Sequence, residues 1–149
     1  GCKIIKGKND IILEAPKKLK AVDIKTMPYP GFPTDMQSVF ASMLTVARGT
    51  SVIVENIFEN RYRFMTELKK MGAKITIEGK TAIIKGVRKL TGAKVVSTDL
   101  RGGAALVVAG LAAKGKTEIT NIEYILRGYE GLDKKLRKLG ASISIKEGE

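Results

Sequence analysis

Two Thr-Asp pairs, Thr34-Asp35 and Thr98-Asp99, stand 64 positions apart, each between a β-rich stretch and an apolar segment of helical pattern. A carboxylate in the first turn of a helix favours the dipole by about 0.3–1 kcal/mol, which alone explains an acid there. Asp35 has a second attribute. Met27-Pro-Tyr-Pro-Gly-Phe-Pro-Thr-Asp35 gathers three of the chain's four prolines into a stiff, extended loop that enters the helix. A carboxylate on so rigid a mount suits a general base. Arg61 and Arg127, 66 positions apart, are each predicted to begin a helix, where a cation is disfavoured. Two such cations point to an anionic ligand, with capping of Glu59 and Glu130 as the structural alternative. Arg101-Gly102-Gly103 matches RNA-binding RGG segments or a phosphate-cradling turn, but one copy opening an apolar helix argues for neither.

Composition narrows the chemistry. With no His and a single Cys in 149 residues, most metal sites, Ser-His-Asp or Cys-His nucleophile systems and internal disulfides are excluded. The balance of 27 Lys+Arg against 15 Asp+Glu gives +12, a charge that suits nucleic acid, an anionic surface or a phosphate-bearing small ligand. Aromatics at 5% and the lack of Arg/aromatic interleaving argue against single-strand binding. The lysine groups at 17–20, 69–70 and 134–138 read as solvated helix faces. The longest apolar run, Gly102 to Ala113, is too short to span a bilayer. No charged-then-apolar signal opens the sequence, so a cytoplasmic protein without membrane contact is the expectation.

The elements that must position these groups form a repeat. Gly72-Ala-Lys-Ile-Thr-Ile77 recurs as Gly140-Ala-Ser-Ile-Ser-Ile145, and Gly1-Cys2-Lys3-Ile4 opens a third copy. Gly49 and Gly115 keep the same spacing as the arginines. Each unit reads as a strand (21–26 or 94–98), a helix from the Thr-Asp pair, a strand (51–54), a second helix from about Arg61, and a hairpin (74–77 and 81–85). In the first helix Met36, Val39, Phe40, Met43 and Leu44 mark the buried face, and Thr34 with Gln37 predicts a capping box. Phe64, Leu68 and Met71 point inward in the second helix; Tyr129, Leu132, Leu136 and Leu139 are their counterparts. The order is β-α-β-α-β-β. Residues 1–20 are read as the closing hairpin of one unit, 21–86 as a complete unit and 94–149 as most of the next. The whole is therefore read as the C-terminal part of one domain of a longer protein. Cys2 is expected as a small buried strand residue.

PGFPTDMQ (30–37), IFENR (57–61), TDLRGGAALVVAGLAAKG (98–115) and LRGYEGLDKKLRKLGA (126–141) resemble the UDP-N-acetylglucosamine 1-carboxyvinyltransferase family, over essentially the whole chain and about the last third of a member. The resemblance implies an α/β fold, an inside-out α/β barrel of β-α-β-α-β-β repeats, here as an incomplete domain. It implies transfer of enolpyruvate from phosphoenolpyruvate to the 3′-hydroxyl of UDP-N-acetylglucosamine, with release of phosphate, as the first committed step of peptidoglycan synthesis. Asp35 would be the general base, with Asp99 a second acid in the cleft. Thr34, Ile57 and Phe58 would line the nucleotide-sugar site together with Arg61, Leu100 and Arg101, and Arg127 would hold phosphate. The partners implied are the two substrates and the N-terminal portion of the same enzyme, without metal, cofactor, nucleic acid or membrane. That portion carries the family's catalytic loop, so Cys2 is not its cysteine. Gly102 stands where Ala is common in the family, which predicts a looser first turn. The other readings are a basic nucleic-acid module of related fold and an inactive scaffold fragment.

Overall fold

Alternation in Lys74-Ile-Thr-Ile-Glu78 and Thr81-Ala-Ile-Ile-Lys85 puts Ile75, Ala82 and Ile84 on one face, and the computed structural model, which describes residues 1–146, buries all three. These segments are β5 (Lys74–Glu78) and β6 (Thr81–Lys85), joined by a tight turn in which Gly79 takes φ +55°. β6 pairs on its other side with β4 (Thr50–Val54), antiparallel, with Ile53 opposite Ala82; β4 pairs in parallel with β3 (Ile24–Lys25). The sheet order is β3-β4-β6-β5. Between these strands run α1 (Thr34–Leu44) and α2 (Arg63–Lys70), so residues 21–86 follow the order β-α-β-α-β-β.

α2 presents Phe64, Met65 and Leu68 to the core, with Met71 just beyond it, all at 0% exposure. Burial of each such side chain contributes about 1.5–3 kcal/mol. The helix starts two residues later than its sequence pattern suggests. α1 departs further from expectation. Its buried face is Gln37, Ser38, Ala41, Ser42 and Leu44, while Met36 is 43% exposed and Val39, Phe40 and Met43 are half-buried. The cause is its partner, α3 (Leu100–Ala112), an apolar helix lined with small residues. Small faces let two helices approach closely, and the hydroxyls bridge them: Ser38 Oγ donates to Arg101 O (3.1 Å) and Ser42 Oγ to Ala105 O (2.7 Å). Phe40 packs edge-on against Phe32 instead. The capping box does not form, because Thr34 turns its hydroxyl to Glu55 and Gln37 is fully buried.

The next unit places β7 (Lys94–Val96) parallel to β8 (Glu118–Thr120), followed by α4 (Glu123–Leu126) and α5 (Leu132–Lys138). Buried Glu67 of α2 joins the units: it accepts from Val96 N (2.9 Å) and pairs with Lys70 (2.7 Å). Here the sequence reading needs correction. Residues 141–146 are not a strand, since no neighbouring strand runs beside them among the described residues. Without that sheet α5 buries nothing fully, and Leu139 is 84% exposed. The inward residue of this region is Ile125, against Gly103 of α3. Among the described residues the hairpin of β1 (Lys3–Lys6) and β2 (Ile11–Glu14) pairs only with itself and is exposed on both faces. Cys2 lies just before β1, half-buried rather than buried within a strand. Among the described residues no helix is long and apolar enough to cross a membrane.

Candidate functional site

The prolines deliver the chain into α1 with Pro33 as its N-cap residue, which places Asp35 in the first turn. Its carboxylate is gripped by two arginines. Arg61 Nη2 lies 3.0 Å from Oδ1 and Arg101 Nη2 lies 2.5 Å from Oδ2. One arginine comes from the loop before α2, the other from the first turn of α3, so the group bridges two repeat units. Asp35 is about half exposed, and ion pairs of that exposure contribute about 0.2–1 kcal/mol to stability. Stability is therefore a weak reason for the arrangement. Two guanidiniums against one carboxylate leave a net +1 at an accessible surface, a setting for an anionic ligand.

Arg61 owes its place to stacking as well as charge: its guanidinium lies 4.9 Å from the Phe58 ring centroid. Arg127 repeats the device, 5.0 Å from the ring of Tyr124. Both aromatic–arginine pairs are spaced by three residues and lie 66 positions apart. The helix-start argument, however, fails for both arginines. Arg61 precedes the N-cap residue Tyr62 and is neutralised by Asp35; Arg127 is the C-cap residue of α4, where a cation is favoured. Arg127 makes no ion pair among the described residues and is exposed.

The two aspartates are not equivalent. Asp99 is the N-cap residue of α3, and its Oδ1 accepts from Arg101 N (3.1 Å) and Gly102 N (2.8 Å) while Thr98 Oγ1 donates to Oδ2 (3.0 Å). These bonds cap its own helix. Through that cap it fixes the turn that carries Arg101. Leu100, half-buried, packs against Gly128 beside Arg127. Ile57 and Phe58 are exposed at 38% and 52%, open to a ligand.

Gly102 does not loosen α3. A Cβ there would lie 2.9 Å from Phe64 Cβ and 2.8 Å from Asp99 Oδ2, so only glycine admits this contact. Gly102→Ala is expected to cost about 1–3 kcal/mol and to shift Arg101 away from Asp35; urea unfolding would register the first.

Two residues that sequence reasoning passed over stand behind the arginines. Glu55, 2% exposed, accepts from Thr26 Oγ1 (2.8 Å), Thr34 Oγ1 (2.9 Å), Ile57 N (2.9 Å) and Phe58 N (3.2 Å). Its signal was an acid directly after the apolar Val52-Ile-Val54. Tyr62 sends its hydroxyl to Ile53 O (3.0 Å) and Lys80 O (2.8 Å). Burial pushes the Tyr62 phenol up to about 12, and the charge of Glu55 adds to that. Because this value lies above that of an unfolded phenol, the stability it confers is complete below about pH 10 and is lost as pH rises towards 12. A spectrophotometric titration should show a phenol still protonated at about pH 11, and Tyr62→Phe should abolish that late step.

Glu55, Phe58, Arg61, Tyr62 and Lys80 line a cavity of about 250 Å³. That is below the roughly 300–1,000 Å³ that encloses an organic ligand, so these five residues form a ledge, not a closed pocket.

Comparison with known proteins gives the chain's family. The EPSP synthase (3-phosphoshikimate 1-carboxyvinyltransferase) family matches residues 1–148. The UDP-N-acetylglucosamine 1-carboxyvinyltransferase 1 of Caldanaerobacter subterraneus subsp. tengcongensis is 58% identical over 143 residues, 96% of this chain and 34% of the relative. The UDP-N-acetylglucosamine 1-carboxyvinyltransferase of Thermodesulfovibrio yellowstonii is 62% identical over 135 residues, 91% of this chain and 32% of the relative. Among solved structures, the enolpyruvyl transferase NikO from Streptomyces tendae superposes with a TM-score of 0.88 at 28% identity, covering 99% of this chain and 34% of that one. The chain thus spans about a third of the length of these relatives.

Proposed function

Because this chain belongs to the EPSP synthase (3-phosphoshikimate 1-carboxyvinyltransferase) family, we propose that it supplies one wall of an enolpyruvyl transferase whose acceptor is UDP-N-acetylglucosamine. The other wall comes from the remaining portion of the enzyme. The observation that carries this reading is Asp35 held between Arg61 and Arg101 on an open ledge. Relatives at 58% and 62% identity that carry the aminosugar name favour that acceptor over 3-phosphoshikimate.

The chemistry asks little beyond placement and proton traffic. The methylene carbon of phosphoenolpyruvate gains a proton, and the sugar 3′-oxygen bonds to the adjacent carbon as its own proton passes to Asp35. The carbon–oxygen bond to phosphate then breaks, and the methyl group returns a proton to restore the double bond. When the anionic substrates enter, Arg61 and Arg101 turn from Asp35 to them, which frees the carboxylate to accept. Thr34, Ile57 and Phe58 border the nucleotide sugar, which is the acceptor. Arg127 meets the phosphate of phosphoenolpyruvate. In a cell this enzyme works in the cytoplasm, at the entry to peptidoglycan synthesis.

The test is phosphate release by the full-length polypeptide, or by a chimaera in which this segment replaces the matching third of a curated relative. Release should require phosphoenolpyruvate together with UDP-N-acetylglucosamine. Release with 3-phosphoshikimate, and none with the aminosugar nucleotide, would reassign the acceptor. In the same assay Arg127→Ala should raise the phosphoenolpyruvate KM at least tenfold, since a charge-assisted phosphate contact contributes about 1.5–3 kcal/mol. Its stability should fall by less than about 1 kcal/mol, because the cation leaves a helix C-terminus. Normal kinetics in that variant would leave Arg127 a structural residue.

A further inference from the structure

A carboxylate that is 2% exposed and has no cationic partner among the described residues is costly unless hydrogen bonds replace the water it lost. Glu55 meets that condition with four donors, and the segments they come from are informative. Thr26 directly follows β3, Thr34 opens α1 beside Asp35, and Ile57 and Phe58 belong to the loop that carries Arg61. Thr26 itself accepts from Asn56 N (2.8 Å), which fastens that loop a second time. The contacts close a ring: Glu55 to Thr34, along the chain to Asp35, across to Arg61, down onto the Phe58 ring, and from Phe58 N back to Glu55. With both carboxylate oxygens taken by donors of the protein itself, Glu55 is fixed to both sides of the Asp35–Arg61 pair.

We propose that Glu55 is the positioning residue of this site, fixing through Thr34 and the loop of Arg61 where the Asp35 carboxylate stands. The proposal rests on the reading of Asp35 as the base. A misplacement of about 1 Å at a reacting group costs up to about 10²-fold in rate, so the link should be visible in turnover.

The experiment is a double-mutant cycle in the full-length polypeptide. Glu55→Gln keeps the volume but sets an NH₂ group against one of the four donors. It should lower kcat by about 10–100-fold and leave the phosphoenolpyruvate KM within about threefold. Placed on Asp35→Asn, the same change should lower kcat by less than about twofold, because the group it positions is already lost. Should Glu55→Gln not fold, the isosteric Thr26→Val removes one donor from the same carboxylate and carries the same cycle, with a loss of about threefold or more expected in the parent alone. Wild-type kcat in these variants, or an equal loss in both backgrounds, overturns the proposal. A normal kcat in Asp35→Asn alone would instead overturn the base assignment, so the two failures are distinct.

Discussion

Asp35→Asn is expected to lower kcat by about 10²–10⁴-fold while the KM for UDP-N-acetylglucosamine stays within a few fold. Asn still accepts a hydrogen bond, so binding survives; it cannot take a proton, so turnover does not. Asp99→Asn provides the contrast. Asn caps a helix about as well as Asp, so α3 should lose under about 1 kcal/mol and Arg101 should stay in place. Steady-state kinetics and urea unfolding of the two variants, side by side, separate proton transfer from capping. Equal kinetic losses would return Asp99 to the chemistry.

Phe64→Ala should be the most damaging single change to stability, at about 3–5 kcal/mol. The ring is at 0% exposure, and its Cβ touches the first turn of α3 where Gly102 admits it. Truncation therefore leaves a cavity between two repeat units as well as within one. Because α3 carries Arg101, the loss should also reach the Asp35 site. Equilibrium unfolding in urea checks the first expectation; an unfolding free energy within about 1 kcal/mol of the parent would show that Phe64 is not the joint between the units.

The repeat and most elements of residues 21–86 were legible because hydrophobic period and glycine stops act locally. Ile75, Ala82 and Ile84 alternate as a half-buried strand must, and Gly72, at φ +88°, ends α2 where a helix stop was expected. The buried face of α1 was not legible, since it depends on the small residues of a partner 63 positions away. Nor was the fate of 141–146, whose strand pattern lacks a strand to pair with among the described residues. At the site, the Pro-rich mount singled out Asp35, and the spacing singled out Arg61 and Arg127. The reason given for the arginines was mistaken: π-stacking and an ion pair hold Arg61, and π-stacking and a helix C-terminus hold Arg127. Glu55 escaped notice because a buried carboxylate is recognised by its donors, and these come from three separate stretches of chain.

Chemical rescue tests the role of Asp35 most directly. Its carboxylate is about half exposed, so a small anion can reach the space that Asp35→Ala opens. In the full-length polypeptide, Asp35→Ala should be nearly inactive in phosphate release, and added formate or acetate should restore turnover in proportion to its concentration, since either can accept the hydroxyl proton in place of the missing side chain. Undiminished kcat in Asp35→Ala without any added carboxylate would contradict the account.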